Sequence, residues 1–142
     1  MVEDQYLNAG PLGGIHAALK ASSEDAILVF AGDMPFLDKE IISDQINEFS
    51  KRQHDVLIPV VDQFIEPLHA IYRKSELNHL ERFLVEGKSR AVRDFLGEVN
   101  VGYLQITKNE KTKIAFANIN SPSDLAKINL KSSLVFNPMN RL

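Results

Sequence analysis

An aspartate at the end of an apolar run is the side chain of this sequence best placed to bind a metal ion. Asp33 lies in the segment Gly32–Phe36, which follows the unbroken apolar run Ala26–Ala31. A carboxylate at the carboxyl end of a buried strand can hold Mg2+ against phosphate oxygens, because Mg2+ prefers hard oxygen ligands. The spacing is equally consistent with an aspartate that only starts a turn, in which Pro35 prevents early helix formation.

A glycine-rich segment precedes the first predicted helix. Gly10, Gly13 and Gly14 lie around Pro11 and Leu12. Their backbone can approach a ligand closely, and the amino end of the helix that follows favours anions. Taken alone, the segment is better explained as a loop that requires positive φ angles.

Two asparagines near the carboxyl end of the sequence could recognise a heterocycle. Asn118 and Asn120 are two residues apart, which places both on one face of a predicted strand. Paired amides can match the donors and acceptors of a ring, but they can also cap the turn that follows. The residues alone favour the capping role.

Other candidate motifs are weaker. His69 is the only histidine with a plausible ligand role, and its place in an alternating strand favours a half-exposed sheet residue instead. Gly87-Lys88-Ser89 resembles the end of a phosphate-binding P-loop, but Arg82 stands where that motif requires glycine. A helix end followed by a capping serine explains the triplet, although Lys88 and nearby arginines at 90 and 93 could still meet an anion.

Composition narrows the class of protein. The 142 residues include no cysteine, which excludes a disulfide scaffold, a thiolate nucleophile and any cysteine-type metal site. Sixteen Lys and Arg against 19 Asp and Glu give a net charge of -3, which argues against nucleic-acid binding. No apolar run approaches the ~20 residues of a membrane span, and the acidic opening is unlike a signal peptide. We therefore expect a cytoplasmic globular domain.

The elements that must position these residues alternate between helices and strands. This alternation predicts a single α/β domain over residues 1–142, with a parallel sheet between two layers of helices. Pro59 is expected to end its strand or to place it at a sheet edge. Helices are predicted over about 12–22, 38–52, 77–86, 89–96 and from 121 onward, and strands over 26–31, 56–58, 67–73, 99–103 and 114–119, with a charged turn at 108–113.

Taken together, four segments resemble the molybdenum cofactor guanylyltransferase family: Gly10–Ile15, Gly32–Leu37, Pro67–Arg73 and Phe116–Leu125. The resemblance implies a three-layer, Rossmann-like nucleotidyltransferase fold. It also implies a reaction in which the phosphate of molybdopterin attacks the α-phosphate of GTP and pyrophosphate is released. GTP and the molybdopterin cofactor are the implied partners, and Mg2+ is the implied cofactor.

The resemblance also implies roles for individual residues. Gly10, Leu12 and Gly14 would line the guanine pocket, and Asp33 would hold the Mg2+ that bridges the nucleotide phosphates. Asn118 and Asn120 would lie on the molybdopterin side. The reaction needs no protein nucleophile, because positioning and charge neutralisation account for most of the rate.

The sequence departs from the family at its beginning. Family members open with a loop of the form Leu-x-Gly-Gly-x-Ser-x-Arg-Met-Gly, followed by a lysine, that wraps the triphosphate. Nothing here matches that loop, and only nine residues precede Gly10. We therefore expect an N-terminally truncated version of the fold.

The departure leaves several hypotheses open. The chain could be part of a working guanylyltransferase, or a catalytically inactive module that binds a nucleotide or a pterin. It could also form a homo-oligomer that covers an exposed sheet edge. Transfer of a cytidylyl group, or a sugar-phosphate nucleotidyltransferase, is the nearest alternative chemistry.

Overall fold

The computed structural model describes residues 10–31, 39–67, 69–87, 89–107 and 125–130. The expected cap at Asp38, the turn at 108–113 and the strand at 114–119 lie outside these residues. The helices are α1 (Pro11–Ala21), α2 (Lys39–Lys51), α3 (Leu77–Glu86) and α4 (Val92–Leu96), with a 3-10 turn at Lys74–Glu76. The strands are β1 (Ala26–Ala31), β2 (Val56–Val61), β3 (Phe64–Ile65), β4 (His69–Arg73), β5 (Val101–Ile106) and β6 (Leu125–Leu130).

The strands form one mixed sheet. Its order is β3-β2-β4-β1-β6, and β5 pairs with β2. The expected parallel sheet is wrong for the described strands, because β1 is antiparallel to both of its neighbours and only β2 and β5 pair in parallel. An apolar run such as β1 reports burial on both faces, and it carries no information about the direction of the neighbouring strands.

Helices cover both faces of this sheet, as the three-layer prediction requires. Side chains of β1 alternate between the two faces. Ile27 and Val29 pack in an apolar cluster with α1, α3 and α4. Ala26, Leu28 and Phe30 pack in a second cluster with α2. All five side chains are buried, which confirms that β1 is a fully buried strand.

Proline 59 lies inside a central strand, contrary to the prediction that it ends the strand or marks an edge. On one side β2 pairs with β5 along its whole length. On the other side, β4 pairs with residues 56 and 57 and β3 pairs with residues 60 and 61. Pro59 falls in the gap between these two ladders, where its missing N–H costs no ladder bond. Its carbonyl oxygen still accepts a hydrogen bond from the Glu66 N–H, at 3.0 Å.

The segment that includes Leu125 and Ile128 is a strand, where a helix was expected. β6 runs over Leu125–Leu130 and pairs antiparallel with all six residues of β1. The backbone groups of a buried strand need hydrogen-bond partners along both edges. Here that tertiary demand overrides the local spacing of apolar residues, and β6 completes the pairing of β1.

Helices α3 and α4 lie close to the positions predicted from the sequence. α3 ends at Gly87, which adopts the left-handed conformation with φ 69° and donates its N–H to the Phe83 carbonyl. This confirms the helix end predicted there. α4 begins at Val92, later than the expected start at Ser89. The Ser89 hydroxyl accepts the Ala91 N–H at 3.1 Å and donates to the carboxylate of Asp94.

Candidate functional site

One edge of the sheet collects the polar features that could bind a ligand. β1, β2 and β5 run in the same direction, and β4 runs against them. The carboxyl ends of β1 and β2, at Ala31 and Val61, therefore lie at the same edge as the amino end of β4, at His69. We call this the carboxyl edge and the opposite one the amino edge. Ligands of open α/β sheets bind outside the carboxyl ends of strands.

Helix α1 brings the glycine-rich segment toward the carboxyl edge. The last turn of α1 is fixed at the amino edge, where the Lys74 ammonium donates to the carbonyls of Leu19 and Ser22. Lys74 directly follows Arg73, which pairs with Ala26 at the start of β1. Because α1 packs along the sheet through its apolar face, its first turn lies at the opposite end, toward the carboxyl edge.

The backbone at Gly10 requires glycine. It precedes α1 with φ 61° and ψ -141° and provides no side-chain cap for the helix. A Cβ at this position would meet no atom within 4 Å, so the constraint is conformational and not steric. The first N–H groups of a helix have no partner inside it. Pro11 has no N–H, and the Gly13 N–H donates to the Gly10 carbonyl at 3.1 Å. The first turn of α1 thus offers the Leu12 N–H and the positive end of the helix dipole to an anion or a ring.

Leu12 and Gly14 can contribute to a ligand site only through their backbone. The Leu12 side chain is fully buried in the cluster between α1 and the sheet. Gly14 is half-buried within the first turns of α1.

His69 is fully buried, so the expectation of a half-exposed sheet residue is wrong. It pairs with Phe30 near the end of β1. Its carbonyl accepts a hydrogen bond from the Gln45 Nε2 of α2, at 2.8 Å. The Gln45 side chain is itself fully buried. Alternation placed His69 on the correct face, but it could not show that α2 covers that face.

Glu66 is a carboxyl group at this edge that the sequence analysis did not single out. It lies in the break between β3 and β4 and is half-buried. Burial raises its pKa from 4.5 to about 7. Candidate ligand groups are expected in loops that follow strands. Glu66 precedes a strand, and it reaches the carboxyl edge only because β4 runs antiparallel to β1. A carboxylate at the start of an alternating segment was the signal that could have found it.

Three of the predicted site residues lie outside the described part of the chain: Asp33, Asn118 and Asn120. Asp33 follows the last residue of β1 by two positions in the sequence. Within residues 10–31, 39–67, 69–87, 89–107 and 125–130, no group of three or more His, Cys, Asp or Glu side chains could hold a metal ion. No helix in that part of the chain is long and apolar enough to cross a membrane.

Comparison with known proteins gives concordant matches. Residues 1–101 match a family model described as a MobA-like NTP transferase domain. A protein of Pelotomaculum thermopropionicum named "Probable molybdenum cofactor guanylyltransferase" is 35% identical over 130 residues, which cover 89% of this chain and 62% of that protein. A Methanosarcina mazei protein of the same name is 33% identical, over 86% of this chain and 55% of that protein. The chain thus spans about 60% of the length of such relatives.

Solved structures agree with the family match. Molybdopterin-guanine dinucleotide biosynthesis protein A from Archaeoglobus fulgidus superposes with a TM-score of 0.64 at 36% identity, covering 81% of this chain and 58% of that one. A protein from Aquifex aeolicus gives a TM-score of 0.65 at 23% identity, over 84% of this chain and 61% of that one. The second match supports the fold alone. Together these matches confirm the three-layer, Rossmann-like class.

Proposed function

This chain belongs to the MobA-like NTP transferase family, and from this premise we propose that it serves the transfer of GMP from GTP to molybdopterin. The phosphate of molybdopterin attacks the α-phosphorus, the bond between the α- and β-phosphates breaks, and pyrophosphate leaves. The observation that carries the proposal is the convergence on one sheet edge of the Gly10 turn and of the strand that leads to Asp33. A cytoplasmic location is part of this proposal, since GTP is supplied there.

In this proposal the first turn of α1 contacts the guanine through backbone groups. Gly10 supplies a torsion that other residues adopt only at a cost. Leu12 contributes its backbone, since its side chain is committed to the core, and Gly14 adds a position without a side chain. Such a surface discriminates bases by shape and by fixed N–H and C=O positions, without mobile side chains.

The proposed metal ligand is Asp33. Its carboxylate is a hard oxygen donor, and Mg2+ in nucleotide sites is commonly held by one or two carboxylates together with substrate phosphates and waters. A site of this kind needs no preformed cluster of three acidic residues, so the donor chemistry of the chain fits Mg2+. When bound, the ion supplies neutralisation of the charge that develops on the phosphates. Asn118 and Asn120 are proposed to hold the molybdopterin side.

The test is nucleotidyl transfer by purified protein supplied with GTP, Mg2+ and molybdopterin. We expect the guanine dinucleotide and pyrophosphate to form, and Asp33→Asn to lower kcat by roughly a hundredfold or more, because the proposed Mg2+ loses the anionic ligand that holds it against the phosphates. Asp44→Asn, an exposed position on α2, is the matched control and should be neutral. Transfer that is unchanged in Asp33→Asn would contradict the assignment.

The same assay separates the alternatives. Saturable GTP binding without transfer would identify an inactive binding module, and preference for CTP would identify a cytidylyltransferase. Sedimentation of the same sample tests the expected homo-oligomer, which a stable monomer would refute.

A further inference from the structure

Glu66 is held in a fixed place at the carboxyl edge by its backbone. Its N–H donates to the Pro59 carbonyl of β2 at 3.0 Å, and its own carbonyl accepts the His69 N–H at 3.1 Å. The Gln45 amide then donates to the His69 carbonyl at 2.8 Å. This chain of hydrogen bonds ties the residue to β2, β4 and α2. The backbone of Glu66 is therefore held in place between the end of β3 and the start of β4.

The carboxyl group has a setting that favours a ligand with N–H donors. Glu66 is half-buried, and no ion pair among the described residues involves it. A carboxylate that is partly removed from water is destabilised, and a bound N–H donor offsets part of that cost. The raised pKa of Glu66, caused by burial, is consistent with this setting.

The geometry of a carboxylate selects one ligand class among those of the proposed reaction. Two parallel N–H donors on a planar group match its two oxygens, as in the bidentate pairing of carboxylates. Guanine presents such a pair at its ring N–H and its 2-amino group. The pterin ring presents the same pair, because both rings contain a 2-amino-4-oxopyrimidine. Adenine, cytosine and uracil do not present it.

We propose that Glu66 is a specificity residue whose carboxylate accepts the paired N–H donors of a 2-amino-4-oxopyrimidine ring, from either the guanine or the pterin. The inference rests on the proposed function and adds a base-reading side chain to a pocket otherwise formed by backbone groups.

The experiment is to replace one carboxylate oxygen by an amide NH2 group in Glu66→Gln and to measure transfer with GTP, with XTP and with varied molybdopterin. Xanthine carries an oxygen where guanine carries the amino group, so the glutamine amide is complementary to it. If Glu66 reads guanine, the ratio of kcat/KM for XTP to that for GTP rises by roughly tenfold or more. If it reads the pterin, the KM for molybdopterin rises by a similar factor and the XTP to GTP ratio stays constant.

Glu24→Gln is the matched control. Glu24 is also half-buried, but it precedes β1 at the amino edge, so both readouts should remain at the wild-type level. Thermal unfolding of both variants checks that they fold.

Two results would overturn the inference. One is a Glu66→Gln protein in which both readouts stay within about twofold of the control. The other is a change confined to the Mg2+ requirement, which would make Glu66 a metal ligand. If the wild-type protein transfers no GMP at all, it is the proposed function that fails, and this inference fails with it.

Discussion

The two edges of the sheet differ in how completely their polar groups are paired. At the amino edge the Arg73 guanidinium donates to the His54 carbonyl through Nε at 3.1 Å and Nη2 at 2.8 Å, and it lies 4.3 Å above the centre of the Phe49 ring. The neighbouring Lys74 ammonium donates to the carbonyls of Leu19 and Ser22 at the end of α1. Both cations thus donate to backbone carbonyls, and Arg73 also lies 3.8 Å from the carboxylate of Asp55.

At the carboxyl edge the start of α1 and the carboxyl group of Glu66 have fewer partners within the part of the protein that the structure describes. Gly10 gives α1 no side-chain cap. Glu66 has no ion pair among the described residues, and burial raises its pKa to about 7. The difference indicates that the two edges have different roles. Pairing at the amino edge fixes the scaffold, whereas the carboxyl edge retains a backbone donor and a carboxyl acceptor that a ligand can use.

The largest change in the free energy of unfolding is expected for a substitution at the amino edge. Lys74→Met keeps the aliphatic stem but removes the ammonium that binds the end of α1, so the free energy of unfolding should fall by about 2 to 3 kcal/mol. Urea denaturation measures this change. GTP affinity in the folded protein should not change, since the substitution lies at the edge opposite the proposed site. Lys51→Met, at an exposed position in the last turn of α2, is the control and should be nearly neutral. A loss of GTP affinity with normal stability would break the distinction between the edges.

Two glycine substitutions should separate binding from stability. Gly10→Ala forces φ 61° and ψ -141° on an L-residue, at a cost of about 1 to 3 kcal/mol. Part of this cost should appear as a raised KM for GTP, because the first turn of α1 is displaced. Gly87→Ala, also at positive φ, should cost roughly 1 kcal/mol of stability without altering KM. Equal effects of both variants on KM would contradict the assignment of Gly10 to the GTP site.

The sequence predicted the elements better than their arrangement. The apolar run of β1 and the Gly87 helix end could be read locally, because burial and left-handed backbone leave direct traces in residue type. The antiparallel direction of β4 leaves no such trace in residue type. The sequence therefore did not indicate that Glu66 lies at the carboxyl edge. Pro59 and Leu125–Leu130 were misassigned for a related reason. A ladder break and a need for pairing along β1 are properties of neighbouring strands, which no local spacing records.

A pH dependence should distinguish Glu66 from the paired charges of the amino edge. Because the pKa of Glu66 is raised from 4.5 to about 7, the folded protein holds a proton between these values that the unfolded chain has released. The resulting stabilisation is complete below pH 4.5 and is lost as pH rises to about 7. Glu66→Gln removes this loss, so the variant should exceed wild type by roughly 1 kcal/mol at pH 8 and by nothing at pH 4. Denaturation at both pH values checks the sign. A constant difference would show that no titration is involved.

The smallest effect tests whether backbone strain at the carboxyl edge is used by the site. The turn between β2 and β3 consists of Asp62 and Gln63, whose φ angles are 53° and 70°. Left-handed torsions at two residues other than glycine suit a tight hairpin but are costly. Gln63→Gly should therefore stabilise the protein by about 0.5 to 1 kcal/mol in thermal or urea unfolding. β3 leads directly into Glu66, so the turn could influence the site. If Gln63→Gly is more stable and its KM and kcat are unchanged, the strain belongs only to the local hairpin geometry. A stabilised variant with weaker substrate binding would instead show that the turn is held in strain to place Glu66.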